Sequence, residues 1–189
     1  MKRFIRKIAV LGSGVMGSRI ACHYANVGCE VLLLDIAPNE LNDAEQKKGA
    51  SLDDEAVRNR IVNSSLQFAL KSNPSPIYNK AFANRIETGN FDDDLHKIKD
   101  CDWVIEVIVE RLDIKQQLFE KVEKHRKPGT IISSNTSGIP IQMMLDGRSD
   151  DFQKHFCGTH FFNPPRYLQL LEIIPTPKTD PQIIEFLII

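Results

Sequence analysis

Apolar and polar positions alternate along this chain in blocks. Lys7–Leu11 (KIAVL) is a short unbroken apolar run ending at Gly12, the pattern of a parallel strand buried on both faces. From Val15 to Val27 the apolar and small residues Val15, Met16, Ile20, Ala21, Tyr24 and Val27 recur at helical spacing, and Gly28 supplies a stop. Glu30–Ile36 (EVLLLDI) reads as a second buried strand, so strand, helix and strand fall within about 30 residues, the size of one βαβ unit.

The stretch from Ala37 to about Lys99 is longer and more polar than a simple connection needs. Glu40–Lys71 reads as mostly helical, with Leu52, Val57, Ile61, Leu66, Phe68 and Leu70 as its apolar contacts, until Asn73–Pro76 (NPSP) breaks it. The whole excursion covers about residues 40–84 and is expected to be an inserted helical hairpin. Ile86 marks the centre of a short third strand, and the acidic Phe91–Leu95 (FDDDL) a solvated loop entering a short helix.

Strand and helix signals then resume. Trp103–Val109 (WVIEVIV) is a buried strand interrupted by a charge, and Asp113–His125 an amphipathic helix with Ile114, Leu118, Phe119 and Val122 on one face, closed by Pro128-Gly129. Thr130–Ser133 starts another strand, SNTSG forms a polar tip, and Ile139–Leu145 suits a short helix. Cys157–Phe162 and Leu168–Ile174 are strand-like runs around the NPPRY turn. The alternation predicts an α/β fold: a doubly wound, Rossmann-type, mostly parallel sheet in one domain spanning residues 1–189. Asp180 and Pro181 open a last helix that ends in four apolar residues with no cap; a helix ending so would lack a partner surface, which suggests a piece of a longer protein.

Charge and cysteine content narrow the function classes. The net charge of −1 over 189 residues, with neither sign gathered into blocks, offers no footprint for nucleic acid or anionic lipid. Cys22, Cys29, Cys101 and Cys157 form no CxxC pair and no cluster at metal-ligand spacing, so no metal is expected and a reduced, cytoplasmic setting fits. No segment has the roughly 20 apolar residues of a membrane span.

The chemistry begins at GSGVMG, where Gly12, Gly14 and Gly17 stand in the G-x-G-x-x-G arrangement between a strand and a helix start, with Asp35 closing the next strand 18 residues after Gly17. Gly12 permits the tight turn, Gly14 lets backbone approach a diphosphate, and Gly17 lets the helix pack close to the strand; Val15 and Met16 open the helix whose N-terminus faces the phosphates. The Asp35 carboxylate suits ribose hydroxyls and repels a 2′-phosphate, favouring NAD over NADP. FAD uses the same fingerprint and remains the rival cofactor.

Four stretches, IAVLGSGVMGSRIA, VIEVIVERLDIKQQLFEKVE, SNTSG and GTHFFNPPRYLQLLEIIPTP, are similar to one family in the family's order: the L-3-hydroxyacyl-CoA dehydrogenases of fatty-acid β-oxidation, with the related 3-hydroxybutyryl-CoA dehydrogenases. The resemblance implies NAD-dependent interconversion of 3-hydroxyacyl-CoA and 3-oxoacyl-CoA. His160 resembles the catalytic base and Glu172 the acid that orients it. Ser137 and Asn163 resemble polar contacts near the substrate hydroxyl and nicotinamide, while Glu110, Lys115 and Asn135 resemble cofactor-binding positions. Ser65 and Lys71 in the excursion are candidate coenzyme A contacts, although NPSPIYNKAF does not match the family. The resemblance further implies a C-terminal helical domain, lying beyond this chain, that completes the cleft and forms a homodimer.

The chemistry is independent of the family: oxidising a secondary alcohol needs a base within reach of the hydroxyl, and imidazole held by a carboxylate serves near neutral pH. Each assignment also has a structural alternative. A strand-end histidine commonly bonds within the fold, Ser137 suits a backbone turn, Glu110 and Lys115 suit a strand end and a helix surface, and Glu172 must find a partner or face water. His23, His96, His125 and His155 read as structural or surface residues. A related hydroxy-acid or sugar-acid dehydrogenase, or a non-catalytic dinucleotide-binding protein, are the competing functions.

Overall fold

The computed structural model describes residues 3–188. Its centre is one seven-stranded sheet in the order β3-β2-β1-β4-β5-β6-β7. The strands are β1 (Lys7–Leu11), β2 (Glu30–Asp35), β3 (Ile86–Asn90), β4 (Trp103–Glu106), β5 (Ile131–Ser134), β6 (Phe156–Phe161) and β7 (Leu171–Pro175). The first six are parallel and β7 returns antiparallel to β6. This is the doubly wound order, with its switch point between β1 and β4.

The continuous apolar runs arise because the central strands are covered on both faces. Ala9, Leu11, Leu32, Leu34 and Val104 point to a layer containing Leu118, Phe119 and Val122 of α5 (Leu112–His125). Ile8, Val10, Val31, Leu33 and Ile105 point to the opposite layer, where α1 (Val15–Asn26) and α4 (Arg60–Lys71) bury Ile20, Ala21, Val62 and Leu66.

The excursion is helical but divided. It holds α2 (Asp43–Lys47), α3 (Glu55–Arg58) and then α4, because Asn42 and Glu45 form a capping box at α2, Gly49 turns the chain at φ 69°, and a non-helical bend precedes α3. β3 begins at Ile86 instead of being centred on it, entered from a 3-10 turn at Lys80–Arg85. The helix α6 (Asp150–Lys154), capped by Ser149, is too short to show a period and was not anticipated. Leu168 and Leu170 lie outside β7 and are exposed.

The last helix, α7 (Pro181–Ile188), departs in part from the expectation of an unpartnered apolar end: Ile188 is exposed as expected, residue 189 lies outside the described residues, and the apolar residues before them pack. Ile183 is fully buried, and Phe186 and Leu187 pack half-buried on the same core layer as α1. Among the described residues no helix is long and apolar enough to cross a membrane, and no cluster of side chains could hold a metal ion.

Burial pushes the Cys22 thiol up to about 11 and those of Cys101 and Cys157 up to about 12. Titration with an aromatic disulfide at neutral pH should therefore modify Cys29 first, with Cys22, Cys101 and Cys157 reacting only on unfolding; prompt reaction of all four in the native protein would contradict this core.

Candidate active site

The glycine loop shows a steric need at Gly12 and Gly17 and open space at Gly14. Gly12 has φ +104°, and a Cβ there would come within 2.5 Å of the Val107 carbonyl oxygen, so the turn between β1 and α1 admits no side chain. A Cβ on Gly17 would meet the Gly12 carbonyl at 1.8 Å, so α1 packs against its own entry loop. At Gly14 nothing lies within 4 Å, leaving the backbone open where a diphosphate would approach. Val15 is exposed beside it, and Met16 packs half-buried against the core.

Asp35, half-buried at the end of β2, accepts hydrogen bonds from the Ser13 amide at 2.6 Å and the Ser13 hydroxyl at 2.5 Å. The carboxylate thus braces the loop and keeps lone pairs for a ligand. It borders a cleft of about 540 Å³, also lined by Ile36, Phe91, Val109, Gln117 and Lys121, which suits an adenosine. Ser13 was not singled out in the sequence, since a serine between two glycines carries no recognisable signal.

β4 ends earlier than its apolar run because Glu106 is completely buried and turns the chain onto its own side chain. The Glu106 carboxylate accepts the Ile108 amide at 2.7 Å, the Ser134 hydroxyl at 2.5 Å and the Lys115 ammonium at 2.6 Å. Burial raises the Glu106 carboxyl above its usual range, with the Lys115 ammonium, the Ser134 hydroxyl and the Ile108 amide pulling the other way.

Lys115 is 1% exposed and therefore no helix-surface residue. Its ammonium also lies 3.3 Å from Glu110. Glu110 in turn accepts from the Thr136 hydroxyl, the Ser137 amide at 3.3 Å and the Gly138 amide at 3.0 Å. Burial alone would raise the Glu110 carboxyl; the Thr136 and Gly138 hydrogen bonds with the Lys115 charge hold it below its ordinary value. Glu110 and Lys115 thus shape the 136–138 loop from behind, leaving the Ser137 side chain exposed. Asn135 joins that loop to β6 by accepting the Phe161 amide at 2.8 Å.

On the other side of the cleft, the antiparallel register sets His160 opposite Glu172, and His160 Nδ1 lies 2.8 Å from the Glu172 carboxylate. A hairpin explains the twelve-residue spacing. A carboxylate only accepts, so Nδ1 carries the proton and Nε2 is the basic nitrogen. Glu172 meets both demands of its apolar segment, being paired with His160 and half exposed.

The NPPRY turn is held by residues the sequence did not mark. Arg19 of α1 donates to the Asn163 side-chain oxygen at 2.6 Å. Arg166 donates to the carbonyls of Ser75 and Ile77 at 2.6 and 3.1 Å and stacks over Tyr78 at 3.9 Å, while the Tyr167 hydroxyl donates to Ser75 at 3.0 Å. The NPSPIY segment is therefore the anchor of the turn that follows His160.

A second cleft, of about 460 Å³, lies between the glycine loop and α4 and is lined by Ser13, Gly14, Arg19, Ser64, Ser65 and Phe68, among others. Ser65 is thus brought to the site. Lys71 is not: it sits exposed at the far end of α4, outside this lining.

The family described as 3-hydroxyacyl-CoA dehydrogenase, NAD binding domain, matches residues 7–188. The chain belongs to this family. It is 54% identical over 187 residues to a probable 3-hydroxyacyl-CoA dehydrogenase of Bacillus subtilis, covering 99% of this chain and 24% of the relative. It is 51% identical over 181 residues to a probable 3-hydroxyacyl-CoA dehydrogenase of Deinococcus radiodurans, covering 96% of this chain and 48% of that protein. Among solved structures, the 3-hydroxybutyryl-CoA dehydrogenase of Escherichia coli superposes with a TM-score of 0.69 at 26% identity, over 97% of this chain and 35% of the other. The chain therefore spans between a quarter and a half of the relatives named here, as one NAD-binding domain of this family.

Removing one member of a buried ion pair strands the other. Lys115→Met is expected to lower stability by about 3–5 kcal/mol in urea unfolding. Glu106→Leu combined with Lys115→Leu should cost less than Lys115→Met alone, and an unchanged midpoint for Lys115→Met would show that the pair organises nothing.

Proposed function

We propose that this chain forms the dinucleotide-binding part of an enzyme interconverting (S)-3-hydroxyacyl-CoA and 3-oxoacyl-CoA with NAD. The observation that carries the reading is the His160–Glu172 pair, at 2.8 Å, on the sheet that also bears the glycine loop, together with membership of the family. In this reading His160 Nε2 takes the proton of the substrate's 3-hydroxyl. Glu172 fixes the tautomer and stabilises the imidazolium that results. NAD, when bound, supplies the hydride acceptor.

The other residues bind and orient. Asp35 accepts from the adenosine ribose hydroxyls, and Gly14 and Val15 lie where the diphosphate crosses. Ser137, Asn135 and Asn163 present polar groups toward the nicotinamide and the substrate oxygen, and Ser65 contacts coenzyme A. Glu110 and Lys115 act by shaping the loop that carries Ser137. Lys71 serves coenzyme A only where that ligand extends to the end of α4. The acyl chain's pocket and a homodimer contact belong to a further helical domain, and the unpaired cysteines suit a cytoplasmic setting.

Calorimetric titration tests the cofactor side. NADH should bind at least about tenfold more tightly than NADPH, and Asp35→Ala should erase most of that difference. In the full-length enzyme, His160→Gln should lower turnover of acetoacetyl-CoA by about 100- to 10,000-fold while leaving NADH affinity within about twofold. Unaltered turnover would remove His160 from the mechanism, and equal affinity for both dinucleotides would remove Asp35 from recognition.

A further inference from the structure

Arg19 is a cation that the proposed mechanism does not use. It lies one helical turn past Val15 on α1, half-buried, and lines the cleft between the glycine loop and α4. A guanidinium offers five N–H donors, and among the described residues the one side-chain group that Arg19 bonds is the Asn163 amide oxygen, at 2.6 Å. That bond takes one donor and fixes the fork in place without neutralising it. No acidic residue lines the cleft, and its other polar groups are the serines at 13, 18, 64 and 65. Ser64 and Ser65 remain able to donate, whereas Ser13 and Ser18 spend their hydroxyls on Asp35 and on the Ser13 carbonyl. A fixed, uncompensated guanidinium among hydroxyls, in a cleft without carboxylates, selects an anionic oxygen group.

The position of the cleft identifies which anion. It shares Gly14 with the adenosine-sized cleft bordered by Asp35, so the two adjoin at the backbone that lies open at Gly14. A ligand anchored at Asp35 and extended over Gly14 enters the second cleft with its diphosphate. A coenzyme A lying along α4 would bring its own diphosphate into the same cleft from the other side.

We propose that Arg19 is a phosphoryl-binding residue of this cleft, paired with the diphosphate of one of the two nucleotide ligands and steered by Asn163. The proposal rests on the reading of the chain as a binder of NAD and acyl-CoA. It adds a direct ligand contact that lies outside the glycine fingerprint, and it makes Asn163 the orienting partner of that contact.

The test is calorimetric titration of the protein and of Arg19→Gln with NADH and, separately, with coenzyme A, each at low and at high salt, with circular dichroism confirming that the variant is folded. Loss of a charge-assisted contact to phosphate is expected to weaken one of the ligands roughly tenfold or more at low salt. The wild-type advantage should shrink as salt screens it. Weakening of NADH alone assigns the dinucleotide diphosphate, and weakening of coenzyme A alone assigns the other. Unchanged affinity for both overturns the proposal while leaving the function reading intact, and so does a loss that salt does not alter, which would mark Arg19 as structural through Asn163. A wild-type protein that binds neither ligand would overturn the function reading and this inference with it.

Discussion

The buried ion pair between Glu106 and Lys115 is the constraint on which the site depends. Two opposite charges removed from water are tolerated only when every remaining lone pair and proton is met, and here the Ile108 amide, the Ser134 hydroxyl and Glu110 meet them. Those bonds bend the chain out of β4 into the loop that crowds Gly12, fasten α5 to the face of the central strands, and pass through Glu110 to the amides of Ser137 and Gly138. Loops far apart in sequence are thereby set at one end of the parallel strands, beside the topological switch point where such folds bind nucleotides.

The apolar blocks and the glycine spacing were legible because period and sterics act locally. β1 runs from Lys7 to Leu11 as the run predicts, Gly12 and Gly17 each have a distinct steric cause, and Gly14 leaves open space. His160 and Glu172 were legible as a pair because the turn between them sets two strands in antiparallel register. What escaped the sequence depends on tertiary pairing. Lys115 reads as a cofactor-binding position or a helix-surface residue until Glu106 is placed against it, and the end of β4 follows from the same contact. NPSPIYNKAF had no local pattern because it acts by tertiary contact, its Ser75 and Ile77 carbonyls and the Tyr78 ring together holding Arg166.

The two faces of the site are built differently, and chemistry explains why. The nucleotide face uses backbone: a glycine turn, a helix start and one carboxylate braced by Ser13. The reacting face uses side chains on a rigid hairpin, where the 2.8 Å pair of His160 and Glu172 settles which nitrogen is basic. Backbone suits a diphosphate, whose recognition needs N–H groups and close approach; a proton transfer needs a group whose protonation can change. Arg19 and Arg166 tie the hairpin's turn to α1 and to the excursion, which links the two faces.

An amide-resolved NMR titration with NADH distinguishes one joint site from two independent faces. Amides of residues 12–17, 135–138 and 160–163 should shift together and report a single dissociation constant. Shifts confined to residues 12–17 and the neighbourhood of Asp35, with 160–163 unmoved at saturation, would contradict a joint site.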